Sequence, residues 1–205
     1  MLRCAITDGT ASGFVNSTQT ERLQAQVRCC AADGVDLIQL REKHLEAGAL
    51  FALAEAAMRV LRDIESRTKL LINGRADVAV AACAHGVHLT SHPDELTPQQ
   101  VRTLYESAGV PSPVISISCH TGGDVARSLE NGVDIILFGP VFEKRVGEKL
   151  VTEGVGLERL AEACTLAGPV PVLALGGVTA ENASACLAAG ASGIAAIRLF
   201  ALEKR

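Results

Sequence analysis

Residues that could bind a phosphorylated substrate lie where short apolar runs of the sequence end. The most highly charged example is Gln39-Leu40-Arg41-Glu42-Lys43, at the end of the run 35–40. Alternation along an extended chain sends Gln39, Arg41 and Lys43 to one side. An amide with two cations suits a phosphate or diphosphate, because arginine makes bidentate contacts and lysine supplies a point charge. A solvated charged loop is the alternative interpretation.

A pair of glycines offers an anion site of another kind. Gly176 and Gly177 follow the apolar run 170–175 and precede a helical pattern whose N-cap candidate is Thr179. Backbone N–H groups that no β-carbon covers favour an anion there. In an eight-stranded α/β barrel the loops after strands seven and eight are the usual phosphate site. The two glycines could instead only make a tight turn.

Two histidines close other apolar runs and could transfer protons. His88 lies within 86–90, and His120 follows Ser118 at the end of 114–118. Histidine is the common general acid or base near neutral pH. A structural histidine is the default interpretation for each, more so for His88 than for His120, and the sequence leaves both interpretations open.

The elements that must position these residues alternate between strand and helix. Segments 31–40, 82–89, 129–139 and 187–197 form a loose repeat in which a helix ends at a glycine and a strand follows. The pattern predicts strands near 2–7, 35–40, 69–73, 86–90, 114–118, 133–138, 170–175 and 193–197. It predicts helices at 18–33, 46–66, 75–84, 97–108, 122–131, 156–167 and 179–189.

Eight alternating units indicate a parallel sheet that closes on itself. We therefore predict an α/β protein in which residues 1–205 form a single (β/α)8 TIM-barrel domain. The rival is an open doubly wound sheet, but no GxGxxG motif follows the first strand. Only 198–205 follow the last strand, so we expect a shortened last helix. An apolar wall left uncovered there would favour a homodimer.

Composition argues against several classes of protein. Of the 205 residues 48% are hydrophobic but only 3% aromatic, so small aliphatic side chains must fill the interior. The net charge of −4, with no basic run longer than two residues, argues against nucleic acid or a membrane surface as partner. Seven cysteines without CxxC spacing, and a start without a signal-peptide pattern, predict a cytoplasmic protein.

Taken together, the strand ends resemble those of one family. The segments that carry the resemblance are AITD (5–8), QLREK (39–43), ING (72–74), GVHL (86–89), SxHT (118–121), FGPVF (138–142) and PVLALGGVTAEN (171–182). The chain is similar to thiamine-phosphate synthase and to its relative, the thiazole tautomerase. The resemblance to the synthase implies a TIM barrel that joins an aminopyrimidine diphosphate to hydroxyethylthiazole phosphate and releases pyrophosphate.

The resemblance also implies roles for individual residues. Gln39, Arg41 and Lys43 would hold the diphosphate, Asn73 would lie beside it, and Ser118 would contact the pyrimidine. The thiazole phosphate would be bound by Gly176, Gly177, Gly193 and the backbone at Ile197. Arg198 could add a bidentate contact or simply begin a solvated terminal helix. The candidate catalytic residues are Ser118, His120 and Lys43, and the expected substrate-binding set is Gln39, Arg41, Lys43, Asn73, His88, Gly176, Gly177, Gly193, Ile197 and Arg198.

The chain departs from the family pattern at the metal. The resemblance implies Mg²⁺ held by an aspartate after strand three and another after strand four, but Gly74 and Pro93 stand at those positions. Asp94 comes one residue late and is the sole candidate ligand. Because magnesium relies on carboxylates together with substrate phosphates, losing both should nearly abolish the metal site.

The predicted lid, 142–153, departs from the pattern as well. EKRVGEK (143–149) stands where a threonine-rich segment is expected, with Lys144, Arg145 and Lys149 as substitutes. Three hypotheses follow: a synthase, a tautomerase-like isomerase, and a non-catalytic protein that binds thiazole phosphate. The complete QLREK segment favours the synthase, whereas the missing carboxylates favour the others. The isomerase would need His120 or His88, because Pro140 replaces the proton-shuttling histidine of that branch.

Overall fold

Eight parallel strands close into a barrel in a computed structural model that describes residues 1–9, 16–92, 94–146 and 149–202. The strands of the chain are β1 Leu2–Ile6, β2 Leu37–Leu40, β3 Lys69–Asn73, β4 Gly86–Leu89, β5 Val114–Cys119, β6 Ile135–Phe138, β7 Lys144–Val146, β8 Lys149–Thr152, β9 Val172–Leu175 and β10 Gly193–Ala196. The order around the barrel is β1-β10-β9-β6-β5-β4-β3-β2, while β7 and β8 form a separate antiparallel pair. The predicted TIM barrel is confirmed.

Helices follow most of the barrel strands. They are α1 Ser17–Ala32, α2 Ala47–Asp63, α3 Ala76–Ala81, α4 Pro98–Ser107, α5 Gly122–Glu130, α6 Gly156–Ala167 and α7 Ala183–Ala188. After β10 the described residues form a 3-10 turn, Arg198–Phe200, and no further α-helix. None of the helices in the described ranges is both long and apolar enough to cross a bilayer.

Alternation along the strands divides the apolar residues between two cores. On β3, Leu70 and Ile72 belong to the cluster shared with the helices, whereas Leu71 points into the barrel. The interior cluster contains Cys4, Ile6, Leu37, Leu71, Ile135, Leu137, Leu173 and Ala195. Side chains at a spacing of two share one face of a strand, so the inward face of β2 continues from Leu37 to Gln39. The barrel is thus apolar low in its interior and becomes polar towards the carboxyl ends of its strands.

Capping residues determine where the helices near those ends begin. Thr121 and Asp124 form a capping box at the start of α5, in which each side chain accepts a hydrogen bond from the backbone N–H of the other residue. The predicted helix at 179–189 begins later, at Ala183, because Asn182 holds the preceding turn. Its Oδ1 accepts from the Thr179 N–H at 2.8 Å, and its Nδ2 donates to the Gly177 carbonyl at 3.0 Å.

The segment predicted as a lid loop contains secondary structure that the sequence reading did not include. Strands β7 and β8 pair there, with Val146 opposite Lys149. The run 143–149 is dominated by charge, which hid the short alternation of the hairpin. The proposed lid substitutes Lys144, Arg145 and Lys149 lie on these strands.

Candidate active site

A cleft of about 830 Å³ opens at the carboxyl ends of the barrel strands, where enzymes of this fold carry their chemistry. A second cleft, of about 880 Å³, lies at the opposite end and is lined largely by apolar residues such as Leu2, Val114 and Ile135. The carboxyl-end cleft is lined by Ile6, Gln39, Arg41, Lys43, Asn73, His88, Thr90, Ser91, His92, Ser118, His120, Asp124, Arg127, Leu175 and Ile197. The structure therefore brings most of the predicted site residues together.

Gln39 and Asn73 form a buried amide pair in this cleft. Gln39 Nε2 donates to Asn73 Oδ1 at 2.8 Å, across the neighbouring strands β2 and β3. Gln39 is only 2% exposed, and its Oε1 is the one buried side-chain polar atom in the described ranges that lacks a partner. An unsatisfied buried acceptor costs about 1–3 kcal/mol, which a ligand N–H group would recover. Because the Gln39 side chain lines the cleft, its unpartnered oxygen is a candidate acceptor for a bound molecule.

The loop after β2 carries the two cations of the QLREK segment. The Arg41 N–H donates to Thr7 Oγ1 at 2.9 Å, and the Thr7 N–H donates to the Gln39 carbonyl at 3.0 Å. These two bonds tie the loop to the end of β1. Arg41 is half-buried and Lys43 is exposed, so the cleft has a positive rim above the amide pair.

His88 lies between two serines of the adjacent strand. Its Nδ1 is 2.8 Å from Ser116 Oγ, and its Nε2 is 2.9 Å from Ser118 Oγ. Burial, with a smaller contribution from the positive charge of Arg41, lowers the pKa of His88 to about 3. The ring is therefore neutral, so one nitrogen donates to a serine and the other accepts. Ser118, which is half-buried, is thereby held at the cleft surface.

His120 sits on the cleft rim and has a defined tautomer. Its Nδ1 bonds the carbonyl of Gly139, which can only accept, so Nδ1 carries a hydrogen. In a neutral ring Nε2 is then the acceptor. The backbone N–H groups of His120 and Thr121 both donate to Asp124 Oδ2 at 3.0 Å, which fixes the turn from β5 into α5.

Asp124 and Arg127 are site residues that the sequence reading missed. Arg127 Nη2 donates to Asp124 Oδ1, three residues earlier on α5. Burial tends to raise the pKa of Asp124, but the two amides, the Thr121 hydroxyl and the Arg127 guanidinium outweigh it and lower that pKa. The signal was present in HTGGDVAR: residues in the first turns of a helix that directly follows a barrel strand face the carboxyl-end rim.

The glycine pair is held against the loop that follows β6. A β-carbon on Gly176 would lie 2.5 Å from Pro140 Cα, and one on Gly177 would lie 2.7 Å from Phe142 Cβ. Both glycines also have positive φ values, of 93° and 65°. Among the described residues, neither glycine N–H has a recorded protein acceptor. Packing alone thus requires both glycines, while their N–H groups stay available to an anion.

One residue expected at the thiazole phosphate lies elsewhere. Gly193 is at the amino end of β10, where a β-carbon would come 1.9 Å from the Leu2 carbonyl oxygen. The prediction for Gly193 is wrong on geometry, because this residue lies at the opposite end of the strand from the carboxyl-end rim. Ile197 follows the carboxyl end of β10 and does line the cleft. Arg198 is exposed and begins the 3-10 turn. Like Gly176 and Gly177, it is not among the residues that line the cleft.

The described residues do not fit a magnesium site. Gly74 has no side chain to offer, and Pro93 falls outside the described ranges. The side chain of Asp94 is 92% exposed and lies 3.7 Å from His92 Nδ1. Asp124 already accepts from two amides and a guanidinium. Within the described parts of the chain, no three His, Cys, Asp or Glu residues are grouped so that they could hold a metal ion.

Comparison with known proteins gives the family. The chain is 41% identical over 175 residues to a Geobacter sulfurreducens protein named provisionally as a thiamine-phosphate synthase, covering 85% of this chain and 78% of that one. It is 34% identical over 180 residues to the thiamine-phosphate synthase of Salinibacter ruber, covering 87% and 75%.

A solved structure has the same fold. Thiamine phosphate pyrophosphorylase from Pyrococcus furiosus superposes with a TM-score of 0.74 at 23% identity, covering 96% of this chain and 85% of that one. The family model described as thiamine monophosphate synthase matches residues 4–200. A match of that extent shows that this chain belongs to the thiamine monophosphate synthase family.

Proposed function

We propose that this protein is a thiamine-phosphate synthase, a transferase of thiamine biosynthesis. It joins the methylene carbon of an aminopyrimidine diphosphate to the ring nitrogen of hydroxyethylthiazole phosphate. The carbon–oxygen bond to the diphosphate breaks, and pyrophosphate leaves with the electron pair of that bond. The names of the relatives support this activity.

The observation that carries the proposal is the buried, unpartnered Oε1 of Gln39 beneath the cations of its own loop. An acceptor at this depth repels a phosphate oxygen and suits an N–H group, such as the amino group of the pyrimidine. We therefore assign Gln39 to the pyrimidine ring rather than to the diphosphate. Ser118, held by His88, lies in the same cleft and offers a second polar contact to that ring.

In this proposal Arg41 and Lys43 bind the diphosphate above the ring. Negative charge grows on the departing pyrophosphate as the bond breaks, so cations fixed at that point stabilise the transition state. The loop bonds from Arg41 to Thr7 and from Thr7 to Gln39 keep this arrangement in place before substrate arrives. The N–H groups of Gly176 and Gly177 are the proposed contacts of the thiazole phosphate.

The isomerase alternative is less well supported. His88, one of its two candidate bases, is buried with both ring nitrogens bonded to serines. His120 keeps one nitrogen for proton transfer, and in the synthase we assign it to the rim near the reacting atoms. The Geobacter sulfurreducens and Salinibacter ruber relatives carry synthase names.

We also propose that the protein works in the cytoplasm and as a homodimer. The seven cysteines are all free thiols, which agrees with a reducing compartment. Large apolar side chains at Leu150, Val151 and Leu166 are about half exposed and could be covered by a second subunit. Light scattering on the purified protein tests the dimer: a single monomer mass at micromolar concentration would contradict it.

The activity is tested by incubating the purified protein with both phosphorylated substrates, with and without magnesium. We expect thiamine phosphate to accumulate. Tight binding of both substrates without any thiamine phosphate under either condition would contradict the proposal.

A further inference from the structure

The carboxyl-end cleft is rich in cations and poor in carboxylates. Among the described residues, Arg41, Lys43 and Arg127 line it, and Asp124 is the only acidic residue that does so. A site that uses the protein to hold a divalent cation needs carboxylate or carbonyl oxygens turned towards it. This lining instead has the charge of a site that binds an anion directly.

Asp124 is not available as a ligand to such a cation. One of its oxygens accepts from the N–H groups of His120 and Thr121, and the other accepts from Arg127. Turning it towards a metal would uncap α5 and leave two amides without their acceptor. The carboxylate therefore serves to hold the turn and the guanidinium.

Arg127 is placed where it can reach an anion. It lines the main cleft and also an adjoining cleft of about 190 Å³, which Thr90, Ser91 and His92 line as well. The loop after β4 that carries these three residues is the loop in which the resemblance expects a metal-binding aspartate. The Arg127 side chain is 62% exposed, and among the described residues only the Nη2 of its guanidinium has a hydrogen-bond partner. A guanidinium has five N–H donors, so Arg127 can hold Asp124 and still bind phosphate oxygens.

We propose that Arg127 is a diphosphate-binding residue. Together with Arg41 and Lys43 it supplies the positive charge of the carboxyl-end cleft, so that this chain binds a diphosphate group without a divalent cation held by the protein. The inference rests on the proposed function only in identifying that group as the diphosphate of the pyrimidine substrate. Asp124 acts as a positioning residue, because it holds the guanidinium and does not touch the ligand.

The test is calorimetric titration of the full chain with inorganic pyrophosphate, in EDTA and in millimolar magnesium. We expect binding in EDTA to be at least as tight as in magnesium. Arg127→Gln should weaken it roughly tenfold or more, since a charge-assisted contact is lost. Arg159→Gln is the matched control: Arg159 also pairs with a carboxylate three residues away on an exposed helix face, but it does not line the cleft. Far-ultraviolet circular dichroism of each variant checks that α5 is intact, and Arg127→Lys should recover part of the affinity.

Two results would overturn the inference. One is pyrophosphate binding that disappears in EDTA and returns with magnesium. The other is an Arg127→Gln variant that binds as tightly as Arg159→Gln. The synthase reaction is scored separately, by formation of thiamine phosphate from both substrates. Pyrophosphate binding in EDTA without formation of thiamine phosphate would refute the synthase and support the anion site. Formation of thiamine phosphate with pyrophosphate binding that depends on magnesium would support the synthase and refute the anion site.

Discussion

His88 Nε2 and Ser118 Oγ lie 2.9 Å apart at the floor of the carboxyl-end cleft, while the other ring nitrogen of His88 bonds Ser116. This pair joins an imidazole that is only 3% exposed to a hydroxyl that lines the cleft. The orientation of the hydroxyl is therefore set by a buried side chain.

Removing that hydroxyl should impair substrate binding and turnover. Ser118→Ala deletes the proposed polar contact to the pyrimidine, and a substrate group left without its hydrogen-bond partner costs about 1–3 kcal/mol of binding free energy. We expect kcat/KM to fall by roughly 10- to 100-fold, given that each 1.4 kcal/mol is a factor of ten. Steady-state kinetics measure kcat/KM, and Ser107→Ala at the exposed end of α4 is the control. Equal kcat/KM for the two variants would remove Ser118 from the site.

The buried imidazole should also make the fold sensitive to acid. The pKa of His88 falls from 6.5 to about 3 in the folded protein, so the unfolded chain binds the extra proton. The stability associated with neutral His88 is present above pH 6.5 and is lost progressively as the pH falls towards about 3. The pKa of His85 is lowered too, by burial and then by Lys69 and Arg62, and adds to the same trend.

Urea unfolding at a series of pH values measures this effect. His88→Gln should flatten the loss of unfolding free energy below pH 6.5, because the variant has no imidazole to protonate at this position. His92→Gln, which changes an exposed histidine, should keep the wild-type slope. A His88→Gln slope that matches wild type would mean that His88 is not held neutral in the fold.

A charge placed on the glycine pair tests the proposed phosphate contact. Gly177→Asp puts a carboxylate beside the free N–H groups and should weaken binding of hydroxyethylthiazole phosphate by well over ~1 kcal/mol. Any side chain at this position would approach Phe142 and would be strained at a φ of 65°. Gly177→Ala is therefore the control for these steric effects. Calorimetry with the thiazole phosphate compares the two. The same affinity in both variants would locate the phosphate elsewhere.

A single substitution should restore a dependence on magnesium. Gly74 has a φ of 65° and open space around the position of a β-carbon. Aspartate and asparagine tolerate this left-handed conformation better than most residues. Gly74→Asp adds a carboxylate beside Asn73, so we expect magnesium to tighten pyrophosphate binding in this variant and not in Gly74→Asn. If magnesium changes the pyrophosphate affinity of both variants equally, the lack of a carboxylate at position 74 does not explain why the wild-type protein binds pyrophosphate without magnesium.

The strand ends were the part of this molecule that the sequence could predict best. Alternation places Gln39 and Arg41 on the inward face that begins at Leu37, and the structure confirms the barrel that this alternation serves. The catalytic and binding roles stay predictions. The prediction for Gly193 is wrong for a physical reason. A glycine that borders a strand can lie at either end of it, and Gly193 is the first residue of β10, at its amino end.

Other features depend on contacts that a linear pattern does not contain. Asn182 rather than Thr179 precedes the first turn of α7 because its amide bridges Gly177 and Thr179. Arg127 reaches the cleft from the second turn of a helix, so a search confined to strand ends passes over it. That Gln39 Oε1 lacks a partner can be seen only once the position of its neighbour Asn73 on β3 is known.

The most direct measurement follows thiamine phosphate and pyrophosphate together in one reaction containing both substrates. The wild-type protein should release one pyrophosphate for every thiamine phosphate formed. Arg41→Ala should lower that rate by about two orders of magnitude, because a cation that stabilises the leaving group is lost, while Arg159→Ala should leave it unchanged. Pyrophosphate release without thiamine phosphate, or an Arg41→Ala rate equal to that of Arg159→Ala, would contradict the account.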